Sequence, residues 1–267
     1  MVRAAVSGIA GRMGTRIAQL IGETDGIALT AGFEHESHPA VGEDLSRVLG
    51  GKPTGRIIAG SIEDVLEEVD VVIDFTMPAA SLRHLEMAAS RGKAMVIGTT
   101  GFSREQVAQI RQPASKIPCV LAPNMSMGVN VLFKLVGDAA KLLGSGFDVE
   151  IIEAHHRFKK DAPSGTAVKL AQVAADALGR DLEASGVYAR HGIIGERTET
   201  EIGIQTIRAG DIVGEHTVIF GGMGERIEIT HKAHSRDNFA RGAIRAALWV
   251  VNQPPGLYDM QHVLGIR

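Results

Sequence analysis

The chain has 267 residues, of which 45% are hydrophobic, 22% charged and 4% aromatic, and its formal net charge is −3. That length buries roughly 75% of the unfolded surface as one large domain or two modest ones, without a disulfide or metal staple. The slight negative charge argues against broad phosphate-backbone binding, the scarcity of aromatics against base-stacking platforms, and the single cysteine, Cys119, excludes a disulfide framework or a multi-thiolate metal site.

The opening run Met1 to Gly8 carries one positive charge and too short an apolar stretch for an export signal, so Val2 to Ser7 is predicted as a first strand. No stretch reaches the about 18 uncharged apolar residues of a spanning helix. With one thiol and no export signal, the expected compartment is a reducing cytosol, with no membrane and no nucleic-acid partner. Gly11 to Ile21 has helical spacing, with Met13, Ile17, Leu20 and Ile21 on one side. Ile27 to Phe33 is a second strand and Arg56 to Ala59 a third, separated by a Gly/Pro-rich loop over 35–55. Ile62 to Val69 reads as a short acidic helix, Asp70 to Phe75 as a strand, and Ala79 to Arg91 as a helix. Ala94 to Ile97, Arg104 to Gln112 and Pro118 to Leu121 continue as strand, helix and strand. Near-continuous apolar strands alternating with helices predict a doubly wound parallel sheet covered on both faces.

The pattern changes after Pro123. Val129 to Leu143 and Thr166 to Leu178 are amphipathic helices flanking a strand at Asp148 to Glu153. Ile202 to Arg208, Ile212 to Phe220 and Glu225 to Thr230 follow as closely spaced strands, which suggests antiparallel pairing. Phe239 to Val251 is a final helix. The residues alone thus predict an α/β domain followed by an α+β domain, with a boundary near residue 126.

The first strand runs into Gly8-Ile9-Ala10-Gly11-Arg12-Met13-Gly14, a G-x-x-G-x-x-G variant of the dinucleotide fingerprint. Glycine permits a tight turn and close backbone approach to a pyrophosphate, and the helix opening there presents unpaired N–H groups to the anion. Arg12 adds a cationic contact. Glu34, twenty residues after Gly14, ends the second strand, where a carboxylate accepts hydrogen bonds from ribose hydroxyls. The alternatives are a glycine turn that only packs a helix on a strand, and a solvated loop acid. Glu34 repels a 2′-phosphate, so NADH is expected in preference to NADPH, with His35 allowing some tolerance. Three other segments fall at strand ends, where ligands of such sheets lie: Asp74-Phe75-Thr76, Gly98-Thr99-Thr100-Gly101 and Ala122-Pro123-Asn124-Met125.

A second constellation is Glu153-Ala154-His155-His156-Arg157-Phe158-Lys159-Lys160-Asp161-Ala162-Pro163-Ser164-Gly165-Thr166-Ala167. It runs off a strand, through a cationic loop, into a helix. Lys159, Lys160 and the helix start at Ser164, Gly165 and Thr166 form an anion site, and a histidine beside it can deliver a proton near neutral pH. Ser164 or Thr166 is also a natural N-cap. A metal-chelating His155–His156 pair is disfavoured, because adjacent strand residues point to opposite faces, and no metal is expected.

These motifs, GIAGRMG, GTTGF, APNMSMGVN and above all EAHHRFKKDAPSGTA, resemble the 4-hydroxy-tetrahydrodipicolinate reductase (dihydrodipicolinate reductase) family of the bacterial diaminopimelate–lysine pathway. The resemblance covers essentially the whole chain. It implies a Rossmann domain over 1–126 completed by 236–267, and a substrate-binding and oligomerisation domain over 127–235 whose mixed sheet builds a homotetramer. It implies NAD(P)H-dependent reduction of a cyclic imine dicarboxylate, with His155 as proton donor and Lys159 as catalytic lysine. His156, Gly165 and Thr166 match substrate contacts. Gly8 to Met13, Glu34, Gly98 to Thr100 and Ala122 to Met125 match cofactor contacts. His35 stands where several members have arginine, and Lys160 stands where relatives are often apolar, so Lys160 receives no catalytic role.

Hydride addition builds negative charge that a protonated His155, kept cationic by the substrate carboxylates, would quench, while Lys159 neutralises a carboxylate. The competing readings are an aspartate or homoserine type of dehydrogenase and a nicotinamide-sensing regulator without chemistry. A phosphorylating semialdehyde dehydrogenase needs a nucleophilic cysteine, and Cys119 lies in the apolar strand Pro118-Cys119-Val120-Leu121.

Overall fold

The structure is a computed structural model in which residues 1–266 are described. Its elements in chain order are β1 (Val2–Ser7), α1 (Arg12–Ile21), β2 (Ile27–Phe33), α2 (Ser46–Leu49), β3 (Val71–Asp74), α3 (Pro78–Ser90), β4 (Ala94–Ile97), α4 (Arg104–Ala114), β5 (Pro118–Leu121), α5 (Met127–Leu143), β6 (Asp148–His155), α6 (Gly165–Leu178), α7 (Leu182–Ser185), β7 (Gly186–Val187), β8 (Ile202–Arg208), β9 (Gly214–Gly221), β10 (Arg226–Ala233), α8 (Asp237–Val250), β11 (Gly256–Tyr258) and α9 (Met260–Leu264). They form two compact units, one of Met1–Met127 with Asp237–Arg267 and one of Gly128–Arg236.

The first unit is built on a six-stranded parallel sheet in the order β11-β5-β4-β3-β1-β2. Successive strand residues point to opposite faces, and both faces are apolar. Ala4 and Val6 of β1, Ile73 of β3 and Val96 of β4 pack with Ile17 and Leu20 of α1 and Ala243 and Ala247 of α8. Ala5, Val72, Met95 and Ile97 pack on the other side with Leu85 of α3 and Ile110 of α4. Cys119 belongs to this second cluster, where burial pushes its thiol up to about 12. Pro78 opens α3 at its first turn, and a Ser103/Gln106 capping box opens α4. The chain runs from β1 outward to β2, then returns to β3 on the other flank of β1. The crevice beyond the carboxyl ends of β1 and β3 is therefore the topological switch point of the sheet.

The second unit holds a mixed sheet in the order β10-β9-β6-β8-β7. β10/β9 and β9/β6 are antiparallel, whereas β6/β8 and β8/β7 are parallel. Val149 and Ile151 of β6, Ile204 of β8 and Phe220 of β9 form one core with Leu132 and Val136 of α5 and Leu170 and Ala174 of α6. Gly179 ends α6 in the left-handed conformation at φ 65°, which glycine adopts without a Cβ penalty.

Four expectations need correction. Arg56 to Ala59 is no strand but makes isolated bridges, Phe33 with Ala59 and Asp44 with Ile57. The Ile62 to Val69 helix reduces to a single 3-10 turn at Leu66–Glu68. β8 pairs parallel to β6 and β7, not antiparallel to β9, because α6 and α7 carry the chain back to β7 and residues 188–201 return it again before β8 begins. β11 and α9 follow the last predicted helix, where the short Gly256–Tyr258 segment carries too little periodicity to announce a strand.

Candidate active site

The glycine turn of the first unit has the geometry a phosphate cradle needs. Gly8 adopts φ 62°, and its N–H donates to the Phe33 carbonyl at 2.9 Å. Gly11 is the N-cap of α1 and supplies no side-chain cap, so the first helical N–H groups are not covered by one. A Cβ on Gly14 would lie 2.1 Å from the Gly8 carbonyl oxygen, so this glycine is demanded by packing of α1 against the turn. The Glu34 carboxylate accepts the Ala10 N–H at 2.8 Å and is thereby fixed against the turn. These features fit a dinucleotide: a bare helix start for the pyrophosphate and an anchored carboxylate for ribose hydroxyls.

The other predicted cofactor residues divide by orientation. Arg12, His35, Thr100 and Pro123 are exposed, and Met13 is half-buried against the core. The His35 ring accepts the Ser37 N–H at 3.3 Å through Nδ1. Ile9 and Met125 are fully buried, Ile9 against Gly32 and Met125 beside Gly242, so they offer a ligand only backbone. Gly98 lies against the Phe75 ring, where a Cβ would come within 2.2 Å. Ala122 is buried at the end of β5, and Asn124 Oδ1 accepts the Ser126 N–H at 2.9 Å.

Thr99 also turns inward. Its hydroxyl donates to Asp74 Oδ1 at 3.1 Å, accepts the Thr76 N–H at 2.9 Å and lies 2.7 Å from Ser81 Oγ. Asp74, at the carboxyl end of β3, is fully buried and accepts further from Thr76 Oγ1 at 2.7 Å, Ser81 Oγ at 2.8 Å and His84 Nδ1 at 2.6 Å. Burial alone would raise the Asp74 carboxyl, but the His84 hydrogen bond and the hydroxyls outweigh it and hold it below the usual carboxylate range. The hydroxyls at this strand end therefore tie β3, β4 and α3 together at the switch point. The sequence places Asp74 and Thr76 at a ligand-facing strand end but gives no sign of Ser81 and His84.

The second unit assembles the histidine–lysine segment around a buried carboxylate. Glu153 and His155 are two apart on β6 and share a face. His155 Nδ1 donates to Glu153 Oε2 at 2.5 Å, since a carboxylate can only accept, which leaves Nε2 for proton exchange. Glu153 also accepts the Ser164 N–H at 2.9 Å and a bidentate pair from Arg208 at 2.8 and 2.8 Å. Burial opposes its charge, yet Arg208, His155 and Ser164 together hold its carboxyl at about 2. Burial lowers His155 below the ordinary histidine value, with Glu153 opposing that shift.

Ser164 is the N-cap of α6, its hydroxyl accepting the Ala167 N–H at 3.2 Å and contacting His216 Nε2 at 3.1 Å. Gly165 is exposed, with open space where a Cβ would stand, and Thr166 is half-buried beside it. Lys159 pairs with Asp161 at 2.9 Å, and His156 is half-buried with a buried, unpartnered Nδ1. Lys160 is exposed. The His155 ring lies over Gly214 and edge-on to His216, at 5.2 Å between ring centroids. Burial pushes His216 down to about 4, so it is neutral near pH 7. The segment thus brings a histidine, a helix start and a lysine into one constellation within this unit. Arg208 and His216, supplied by β8 and β9, were missed. Sequence alone gives Glu153 no role, although its two-residue spacing from His155 on one strand is a signal that could have found the carboxylate.

Among the described residues no group of three or more His, Cys, Asp or Glu side chains is arranged to hold a metal, and no helix is long and apolar enough to cross a membrane.

Comparison with known proteins follows both units. The family profiles described as "Dihydrodipicolinate reductase, N-terminus" and "Dihydrodipicolinate reductase, C-terminus" match residues 2–125 and 128–264. A protein of Syntrophobacter fumaroxidans named 4-hydroxy-tetrahydrodipicolinate reductase is 72% identical over 267 residues, covering 100% of both chains. One of the same name from Syntrophus aciditrophicus is 58% identical, again over 100% of both. A solved dipicolinate-bound dihydrodipicolinate reductase from a Paenisporosarcina species is similar at a TM-score of 0.78 and 28% identity, covering 97% of each chain. With both profiles matched in order over a glycine turn, an anchored Glu34 and a Glu153-held His155, the chain belongs to the dihydrodipicolinate reductase family.

Proposed function

We propose that the protein reduces 4-hydroxy-tetrahydrodipicolinate, a cyclic imine dicarboxylate, to tetrahydrodipicolinate with loss of water, in lysine and diaminopimelate biosynthesis. The observation that carries this reading is the Glu153 carboxylate, which holds a histidine acid and the start of a helix at 2.5 and 2.9 Å in a unit whose family is reductive. Bound nicotinamide supplies the hydride. The N–H groups of the α1 start bind its pyrophosphate, Glu34 takes ribose hydroxyls, and the backbone at Gly98, Thr99, Thr100, Ala122, Pro123, Asn124 and Met125 lines the rest of the cofactor. Because Glu34 repels a 2′-phosphate and His35 provides no guanidinium, NADH is preferred and NADPH is tolerated.

In the substrate unit, the backbone at Gly165 and Thr166 and the α6 start hold one carboxylate. Lys159, which now leans on the exposed Asp161, exchanges that partner for the substrate. His156 adds a donor. With hydride supplied by the nicotinamide, His155 would give its Nε2 proton to the ring carbon that becomes electron-rich, and the substrate's negative charge would keep the imidazolium populated. The reaction runs in the cytoplasm and calls for no metal.

The same unit supports a homotetramer. Helices α5 and α6 cover one face of its sheet, while the other presents Ile152, Ile219 and the 46% exposed Ile207 beside the Thr217–Thr230 hydroxyl pair. Such a face is self-complementary material for a second copy.

The deciding experiment follows NADH oxidation with the freshly generated cyclic imine dicarboxylate, with aspartate semialdehyde-derived homoserine chemistry and with aspartate formation as controls. Turnover confined to the cyclic dicarboxylate is expected. Turnover only in the homoserine or aspartate assays, or cofactor binding with no turnover, would overturn the reading.

A further inference from the structure

We propose that Glu153 is a positioning residue: one buried carboxylate fixes both the ring of His155 and the first turn of α6, so the acid and the dicarboxylate cradle are set by the same group. The proposal rests on the reductase reading for its kinetic consequence, but its structural core stands on contacts within one unit.

Glu153 has no exposed surface, so each of its lone pairs must be satisfied from within the protein. Oε2 accepts His155 Nδ1 at 2.5 Å and an Arg208 N–H at 2.8 Å. Oε1 accepts the second Arg208 N–H at 2.8 Å, the Ser164 N–H at 2.9 Å and Thr206 Oγ1 at 3.3 Å. The two oxygens thereby divide the work, one toward the acid and one toward the helix start. Ser164 then passes the constraint on, because its hydroxyl caps the Ala167 N–H. The same Arg208 Nη2 that donates to Glu153 Oε1 also donates to the Asp161 carbonyl at 2.7 Å, which joins the lysine-bearing loop to the same carboxylate.

The charged and titratable groups around His155 come from every neighbouring element. β6 supplies Glu153, β8 supplies Arg208, the loop before α6 supplies Lys159 and Asp161, β9 supplies His216, and β10 supplies His231 in register with His216. Glu215 and Lys232 pair with each other on the opposite face of the sheet. Only Glu153 touches the ring as an anion; Lys159 and Arg208 are the cations that oppose it, and of the two Arg208 is the one bonded to Glu153 itself. Removing the anion and removing Arg208 must therefore act on His155 with opposite signs, whereas simple structural damage would not.

The test compares E153Q and R208Q with the native protein by NMR titration of the His155 imidazole and by the pH profile of kcat. In E153Q the His155 midpoint and the basic limb of kcat should fall by about one unit or more. The Ser164 amide proton should move upfield as its carboxylate acceptor is lost, while KM for NADH stays unchanged. In R208Q the midpoint and the basic limb should rise. The proposal is overturned if the two variants shift His155 in the same direction, if neither shifts it, or if the Ser164 amide stays in place in E153Q. Should E153Q not fold, R208Q decides by the sign of its shift alone. If the native protein turns over no cyclic imine, the reductase reading fails, and the two titrations still decide the linkage.

Discussion

His84 donates its Nδ1–H to a carboxylate oxygen of Asp74 at 2.6 Å, joining the middle of α3 to the end of β3 at the switch point of the parallel sheet. Asp74 has no exposed surface, so His84→Ala would leave a buried anion with no titratable partner, held only by hydroxyls and the Thr76 N–H. A loss of about 3 kcal/mol in stability is expected, read as a lower urea midpoint. Because the same carboxylate orients Thr76 and Thr99, the Kd for NADH should also rise, by about tenfold. An unchanged NADH affinity would separate this cluster from the cofactor site.

His155→Gln removes the acid but keeps a side chain able to bond Glu153. It should lower kcat by about 10²–10⁴ and leave the KM for the dicarboxylate nearly unchanged. Thr166→Val, at the start of α6, should do the reverse, raising that KM with little effect on kcat. Steady-state kinetics on the two variants side by side checks the assignment.

Ligand binding should be linked to protons. Burial holds the free His155 below the ordinary histidine value, so it is mostly neutral at pH 7. Two carboxylates arriving beside it raise its pKa, and binding therefore takes up a proton. Affinity for pyridine-2,6-dicarboxylate should fall as pH rises from 6 to about 8. Calorimetry in buffers of different ionisation enthalpy measures the uptake directly, and zero uptake would contradict the role of His155 as the loaded acid.

Acid stability has the opposite sign. The folded Glu153 carboxyl titrates at about 2, well below its value of about 4.3 in an unfolded chain. Its contribution is therefore complete above about pH 4.3 and is lost as pH falls through about 2, to the extent of about 3 kcal/mol. Chemical denaturation between pH 6 and about 2 should show this loss, and E153Q should flatten the acid limb.

Cofactor choice should follow the Glu34 carboxylate. Glu34→Gln, which loses the repulsion, should narrow the preference for NADH, and adding His35→Arg should favour NADPH. The ratio of kcat/KM for the two cofactors is the measurement. A native preference for NADPH would refute the electrostatic argument.

The parallel sheet was legible because its strands are short apolar runs between helical patterns, and β1, β2, β4 and β5 coincide with the runs read from the sequence. The placement of β8 between β6 and β7 was not, since strand order depends on how α6, α7 and the 188–201 segment carry the chain and not on spacing along it. The same blindness hid Arg208 and His216, which reach Glu153 and Ser164 only through the β9-β6-β8 order. His84 escaped because its partner is ten residues away on a different element. The inward orientation of Thr99 illustrates another limit: a hydroxyl at a strand end reads as a ligand group until its acceptors are seen. Helical periodicity found α8 but held no information about which sheet it covers.

The first unit is discontinuous, with α8 in its core and β11 hydrogen-bonded to β5 at the edge of its sheet. On the ribosome its sheet must wait, with that edge open and the seat of α8 bare, until the last segment emerges. The intervening unit is one uninterrupted stretch and has all its strands in hand earlier. Synthesis order therefore favours a chain that matures from the middle outward, and its exposed β5 margin is the place where a chaperone or a premature neighbour would act.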